Sequence, residues 1–105
     1  MPKTVKLARV YITEGRRDKQ DGNLFHVLFK LLHNEHHIRA MTVFRGVAGF
    51  STHGAIHASD LLRLTADLPL VLEFYDDPDK VDAAIETIKP HLAPGHIVTW
   101  MVECQ

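Results

Sequence analysis

One stretch in the middle of the chain decides the fold: Thr42-Val43-Phe44-Arg45-Gly46-Val47-Ala48-Gly49-Phe50-Ser51-Thr52-His53-Gly54-Ala55-Ile56-His57. An apolar strand pattern runs directly into a loop that carries an arginine, two histidines and several glycines. A strand holds its end rigidly, whereas glycine takes positive φ or lets a ligand approach the backbone. The stretch therefore indicates a binding loop held by a strand end. The alternative is a long hairpin loop whose glycines serve only its turns, because no phosphate-loop or dinucleotide fingerprint is present.

Length and composition limit what surrounds this stretch. The 105 residues predict a single domain that spans residues 1–105. Hydrophobic residues make up 46% and charged residues 24%, a balance typical of soluble globular proteins. The formal net charge is -1, so there is no overall basic field to attract nucleic acid or an anionic membrane. Any anion site must therefore be local.

Cysteine usage and the N-terminus favour a cytoplasmic location. The single cysteine, Cys104, cannot form an internal disulfide, so nothing points to an oxidising compartment. Residues 1–6 lack the apolar core of a signal peptide, and no apolar run approaches the roughly 20 residues that span a bilayer. We therefore expect neither export nor membrane insertion.

Three elements lead up to the central loop. Residues 5–13 alternate between two partly apolar sides, which predicts a strand with both faces covered. Residues 14–22 are charged and bounded by glycine, which favours a solvated connection. Asp21 or Asn23 then caps a helix that fades near residues 36–37. Its apolar stripe consists of Leu24, Val27, Leu28, Leu31 and Leu32.

The rest of the chain supplies three further strands and a second helix. Residues 38–44 form the strand that enters the loop. The later pattern predicts a short helical turn at 59–64, a buried strand at 68–75, a helix that follows the cap Asp77-Pro78 and ends or bends at Pro90, and a last strand at 96–103.

The order strand, helix, strand, strand, helix, strand predicts an α+β, ferredoxin-like βαββαβ sandwich. Right-handed crossovers put both helices on one face of an antiparallel sheet, with the long loop between strands 2 and 3 and the first and third strands in the middle. We then expect Arg9 and Glu73 to form an ion pair on the helix-free face. The same face carries four apolar side chains, Leu7, Tyr11, Val71 and Tyr75. This much open apolar surface predicts a closed homo-oligomer that covers it.

Three blocks of sequence carry a resemblance to a known family. They are Ala8-Arg9-Val10-Tyr11-Ile12-Thr13-Glu14, residues 42–50 followed by Gly54 and Ile56-His57, and Asp67-Leu68-Pro69-Leu70-Val71. With these blocks the chain resembles the PII-like (GlnB-like) superfamily of ferredoxin-like signalling proteins. More narrowly, it is similar to a bacterial and archaeal family known as domain of unknown function 190.

The resemblance implies a homotrimer whose sheets line the centre, with ligand clefts between subunits. In the superfamily such clefts bind adenine nucleotides, and the long loop docks on a transporter, channel or enzyme. An adenine nucleotide is therefore the small anionic ligand that the resemblance implies. The chain departs from the nitrogen-regulatory PII pattern at two places. Its turn at 93–97 has no glycine-aspartate-glycine-lysine run, and its C-terminal residues 102–105 include no arginine.

Arg45 is the first candidate ligand residue. It lies at a strand end beside Gly46, where its planar guanidinium can bind phosphate or carboxylate. The alternative is a structural pair with Glu14 or another carboxylate at a strand end.

A second candidate is the basic cluster of Arg16 and Arg17 next to Lys19, which suits a polyphosphate if its loop folds beside Arg45. Solvated surface is the alternative. Phe50 either stacks on a base or anchors the loop in a subunit interface. The full set of candidate ligand-binding residues, including those taken from the resemblance, is Glu14, Arg16, Arg17, Arg45, Gly46, Gly49, Phe50, Gly54 and His57.

Eight histidines raise a metal alternative. Helical spacing lets two of the side chains at 33, 36 and 37 share a face, and His53 and His57 stand four residues apart. Exposed histidines at a helix end are the other explanation, since no cysteine or tight acidic cluster accompanies them. We predict no dedicated metal site, and a divalent-cation-binding trimer remains the alternative function.

The sequence gives no motif for catalysis. Cys104 lacks an activating neighbour, and Ser51 and Ser59 occur in no nucleophile elbow. The acidic residues 76, 77 and 79 are explained by the dipole of the helix that follows. We therefore expect a regulatory protein that senses a small anionic ligand and acts on a protein partner through its long loop, not an enzyme. A structural adaptor without a small ligand is a further alternative.

Overall fold

The computed structural model describes residues 2–18, 22–50 and 68–105. The helical turn expected at 59–64, the candidate residues Gly54 and His57, and the His53 of the metal alternative lie outside these ranges. Within them the strands are β1 Lys3–Thr13, β2 Arg17–Asp18, β3 Gly22–Asn23, β4 Ala40–Arg45, β5 Pro69–Asp76 and β6 Ile97–Cys104. The helices are α1 Leu24–Lys30, which continues as a π-helix over Leu31–Glu35, and α2 Pro78–Ile88, which is followed by a 3-10 turn over Lys89–His91.

The main sheet has the strand order β4-β5-β1-β6, and the pairs β4 with β5, β5 with β1, and β1 with β6 are all antiparallel. The two predicted middle strands, β1 and β5, are therefore the central ones. This confirms the ferredoxin-like arrangement. None of the helices in the described ranges is long and apolar enough to cross a membrane.

The core lies between one face of this sheet and the two helices. Alternation in β5 and in the second half of β1 points every second side chain toward the helices, and these side chains are buried. The core consists of Ala8, Val10, Ile12, Leu24, Leu28, Leu32, Leu70, Leu72, Phe74, Val81, Ala84, Ile85 and Ile88. Both helices contribute to this single cluster, so both pack on the same face of the sheet.

Helix α1 begins and ends near the predicted positions. The Asn23 side chain accepts a hydrogen bond from the backbone N–H of His26 at 3.2 Å, so Asn23 is the N-cap. The last turn widens into the π-helix, and the His36 N–H donates to the Leu31 carbonyl at 3.1 Å. His37 then takes a left-handed conformation with φ of 49°, which stops the helix.

In the described part of the connection, residues 14–18 and 22, the chain is not the plain solvated connection that the sequence favoured. Arg17 pairs with Asn23 and Asp18 with Gly22 in a short antiparallel ribbon. The Asp18 carboxylate, with its side chain only 3% exposed, lies 2.7 Å from Nδ1 of His91. This contact joins residues far apart in the chain, which is why local charge and glycine content did not reveal it.

The start of α2 also differs in one detail. Asp77 holds the predicted N-cap position before Pro78, but its side chain makes no capping hydrogen bond. Its carboxylate instead lies 2.7 Å from Lys3 Nζ and 3.4 Å from Arg39 Nη2, because these cations compete for it. The end of α2 follows the prediction, since the helix stops at Ile88 just before Pro90.

Asp76 is a buried polar residue that connects the end of β5 to the residue before β4. Its carboxylate accepts hydrogen bonds from the backbone N–H groups of Asp77 at 2.7 Å and Arg39 at 2.9 Å, and Lys80 Nζ lies 3.3 Å away. Burial by itself raises the pKa of Asp76, but these two hydrogen bonds and Lys80 together outweigh it and lower the pKa. The carboxylate is therefore held in its charged form.

We predict that Asp76→Asn lowers the free energy of unfolding at pH 7 by about 1–3 kcal/mol, because one backbone donor loses its charged acceptor. A folded pKa below the unfolded value means that this stabilisation is complete above about pH 4 and is lost as the pH falls through the folded pKa. Urea denaturation at pH 7 and between pH 2 and 4 measures both effects. The control Asp79→Asn, which removes an exposed charge from the same helix turn, should cost less than about 1 kcal/mol. Equal urea midpoints for the two variants would contradict the role given to Asp76.

Candidate functional site

Four strand ends meet at one edge of the sheet. Here the edge is the border that runs across the strand ends, not an outer strand. The register pairs Thr13 with Pro69, Arg45 with Leu70, and Val10 with Ile97, so β1 and β4 end where β5 and β6 begin. The loop that follows Arg45 leaves the sheet at this edge. The same edge receives the turn before β6, because the Tyr11 N–H donates to the His96 carbonyl at 2.9 Å.

At this edge Arg45 forms an ion pair with Glu14. Arg45 Nη2 donates to Glu14 Oε1 at 2.6 Å, and the two side chains are 63% and 37% exposed. Of the two roles that the sequence left open for Arg45, the contact with Glu14 is the one observed. An exposed pair of this kind contributes only about 0.2–1 kcal/mol, so either partner exchanges readily for another ion.

Gly46 and Gly49 lie against Pro69. The Gly46 N–H donates to the Pro69 carbonyl at 2.7 Å, and a Cβ on Gly46 would lie 2.7 Å from Pro69 Cγ. A Cβ on Gly49 would lie 3.3 Å from the same atom. Neither glycine has positive φ. A glycine is therefore needed at position 46 because Pro69 approaches its backbone closely. The positive φ that the sequence analysis considered for these glycines is not adopted.

Two histidines at this edge were not singled out by the sequence. His96 Nδ1 lies 2.9 Å from the Tyr11 carbonyl, and because a carbonyl only accepts, Nδ1 carries the proton. His91 holds Asp18 in the ribbon, as described above. The one local signal for His96 is the turn before it, where Gly95 has φ of +84°.

The remaining candidate residues are distributed as follows. Arg16 and Arg17 are exposed, and neither forms an ion pair with another residue in the ranges 2–18, 22–50 and 68–105. The Arg16 N–H donates to Thr13 O at 3.1 Å, so Arg16 lies in the turn directly beyond β1. Phe50 is 84% exposed, with no aromatic or core partner in the described chain. The assignment of these residues to a ligand stays a prediction.

The helical histidines are separate from one another. His33 Nδ1 lies 2.7 Å from Asn34 Oδ1 and its ring stacks on Phe29, while His36 Nε2 lies 2.8 Å from Thr87 Oγ1. Among the described residues there is no group of three or more His, Cys, Asp or Glu side chains that could hold a metal ion. The described histidines therefore give the metal alternative no support.

The helix-free face of the sheet combines a charged pair with exposed apolar side chains. Arg9 Nε donates to Glu73 Oε1 at 2.8 Å, which confirms the predicted pair, and Glu73 raises the pKa of Arg9. The Trp100 ring lies 5.6 Å from Arg9 Cζ, a contact that the sequence did not suggest. Four large apolar side chains on this face are exposed, Tyr11, Phe44, Val98 and Trp100.

Comparison with known proteins places the chain in a family. The model of the family DUF190, described as "Uncharacterized ACR, COG1993", matches residues 5–104. The chain belongs to this family. A UPF0166 protein from Aquifex aeolicus (strain VF5) is 30% identical over 84 residues, which cover 80% of this chain and 78% of that protein.

The fold of the chain also matches a solved structure. The structure of CPII bound to ADP and bicarbonate, from Thiomonas intermedia K12, superposes with a TM-score of 0.62. The match covers 100% of this chain and 90% of that one, at 14% sequence identity. This likeness supports the PII-like, ferredoxin-like fold that the sequence predicted.

The approach of Gly46 to Pro69 gives a testable prediction. Gly46→Ala should lower the free energy of unfolding by about 1–3 kcal/mol, because its Cβ overlaps Pro69 Cγ. Gly49→Ala is the matched control and should cost less, since a shift of a few tenths of an ångström relieves its contact. Urea denaturation with an unchanged slope measures the difference.

Removing the Pro69 ring should restore part of the loss. Because Pro69→Ala deletes the Cγ atom, the double variant with Gly46→Ala should lose less than the sum of the two single losses. Strict additivity would show that the overlap does not limit residue 46.

Proposed function

We propose that the chain is a cytoplasmic regulatory protein of homotrimeric form that binds an adenine nucleotide in clefts between subunits and acts on a protein partner through its long loop. The observation that carries the proposal is the exposed guanidinium of Arg45 at the edge where four strand ends meet and the loop begins. An arginine on a rigid strand end binds a phosphate oxygen at low conformational cost.

The overall charge is -1, so an anion must be attracted by a local cluster. Arg16 and Arg17 are exposed in the turn and ribbon that follow β1, the strand whose end carries Glu14, the partner of Arg45. Three arginines associated with one sheet edge suit the several oxygens of a di- or triphosphate. The similar fold of CPII, whose structure contains ADP and bicarbonate, supports a nucleotide as the first ligand to test and bicarbonate as the second.

The homotrimer is supported by the helix-free face. A monomer would present the four large apolar side chains Tyr11, Phe44, Val98 and Trp100 to water on one sheet face. Two charged groups near the centre of this face, Arg9 and Glu73, already satisfy each other. Closed symmetric assembly covers such a face without leaving an unpaired charge.

Replacing Trp100 with Lys tests the assembly. The wild-type protein should sediment with about three times the chain mass of 11.9 kDa. Trp100→Lys should give monomers, because an ammonium group buried beside Arg9 costs on the order of several kcal/mol.

Phe29→Lys is the control for this assembly test. Phe29 is 42% exposed and Trp100 is 45% exposed, but Phe29 lies on α1, away from the sheet face. Phe29→Lys should sediment like the wild type. A wild-type chain that sediments as a monomer at tens of micromolar would refute the trimer.

Calorimetry tests the ligand. Titration with ATP, ADP, AMP, cyclic nucleotides and bicarbonate, separately and with ADP and bicarbonate together, should give heat from at least one nucleotide. Arg45→Ala should weaken that binding by about 1.5–3 kcal/mol, because a charged hydrogen bond to phosphate is lost. Arg39→Ala removes an arginine from the opposite end of β4 and should leave the affinity unchanged. Heats no larger than dilution for every ligand would refute the nucleotide.

A further inference from the structure

The Glu14 carboxylate contacts the Arg45 guanidinium, which is the group that the proposed function assigns to the ligand. β5 lies between β1 and β4, so the contact at 2.6 Å between Arg45 Nη2 and Glu14 Oε1 reaches across the start of β5. The nearest pairs in the register, Thr13 with Pro69 and Arg45 with Leu70, show that both residues stand at the same level of the sheet. An anion that binds this part of Arg45 must displace the carboxylate or share the guanidinium with it.

The backbone on both sides of the pair is fixed, so the exchange concerns side chains alone. The Glu14 N–H donates to the Leu68 carbonyl at 2.7 Å, and the Gly46 N–H next to Arg45 donates to the Pro69 carbonyl at 2.7 Å. Both side chains are exposed enough to rotate into solvent. The tethered carboxylate therefore stays within reach of Arg45 at an effective concentration on the order of millimolar or higher, even when a ligand displaces it.

We propose that Glu14 is an internal competitor that sets the affinity threshold for anions at Arg45. This inference rests on the proposed function and changes the role of Glu14, which the sequence counted among the ligand residues. A small anion that depends on Arg45 alone exchanges one negative partner for another and gains little. A polyphosphate that also contacts Arg16 or Arg17, which form no ion pair in the described part of the chain, keeps the energy of those contacts. Glu14 thereby reserves the site for ligands with several negative oxygens.

The competition predicts that removing the Glu14 charge tightens binding. In Glu14→Gln the dissociation constant of ADP should fall about two- to fivefold, the range that loss of an exposed ion pair supports. In an Arg45→Ala background the same change should have no effect, because Glu14 acts through Arg45. This coupling, measured as a double-mutant cycle by calorimetry with ADP and with pyrophosphate as probes, separates competition from a general effect of charge.

Glu86→Gln is the matched control. Glu86 is also exposed and also lies in an ion pair, with Lys89 at 3.1 Å, but on α2. It should leave the dissociation constant unchanged.

Each outcome of this experiment decides one of the two proposals. If the wild type binds and Glu14→Gln binds equally or more weakly, the competition is refuted and the nucleotide site stands. If Glu14→Gln tightens binding equally in the Arg45→Ala background, Glu14 is not competing for Arg45. If only Glu14→Gln gives measurable heat, the competition is supported, and binding of the nucleotide by the wild-type protein is refuted. If neither the wild type nor Glu14→Gln binds ADP or pyrophosphate, the anion site itself is refuted.

Discussion

The antiparallel register of β1 with β5 is the constraint on which the rest of the structure depends. It pairs Arg9 with Glu73 on one face and Val10 with Leu72 on the other. Since side chains alternate, a slip of one residue would turn Arg9 toward the helices and expose the buried set of β1. An unpaired charge in that core would cost several kcal/mol, so the register is strongly selected.

The same register builds the candidate site. Thr13 at the end of β1 stands opposite Pro69 at the start of β5, so both strands end at the same level of the sheet. The pairing continues one step further, into the hydrogen bond from the Glu14 N–H to the Leu68 carbonyl. Core packing thus fixes the backbone at this edge, while the side chains that could meet a ligand remain exposed. The backbone at this edge is rigid, and its exposed ion pair contributes little free energy, so one ion can replace another there. Reversible binding of a charged ligand requires both properties.

The sequence predicted the features that depend on local period and chemistry. Alternation in β1 and β5 was enough to place Arg9 and Glu73 on the helix-free face. The polar residues before the apolar stripe left the cap open between Asp21 and Asn23, and Asn23 is the one observed. The contact of Asp18 with His91 and the hydrogen bond from Arg39 to Asp76 were not predicted, because their partners are 73 and 37 residues away. The partner of Arg45 stayed open for the same reason. The choice between Glu14 and a ligand depends on how β4, β5 and β1 align.

The composition of the helix-free face is compatible both with exposure to water and with contact against another protein surface. An apolar sheet face without charges would promote nonspecific association during folding, whereas an unpaired charge would prevent it from being buried. Arg9 and Glu73 avoid both problems, because the pair is formed within one chain and Trp100 lies close enough to Arg9 for a cation–π contact. Covering the face then removes water from a charge pair that is already made, so its desolvation is partly offset by a stronger attraction between the two groups. For the homotrimer proposed above, the ion pair at the centre of the sheet would therefore favour a partner surface that leaves this pair intact.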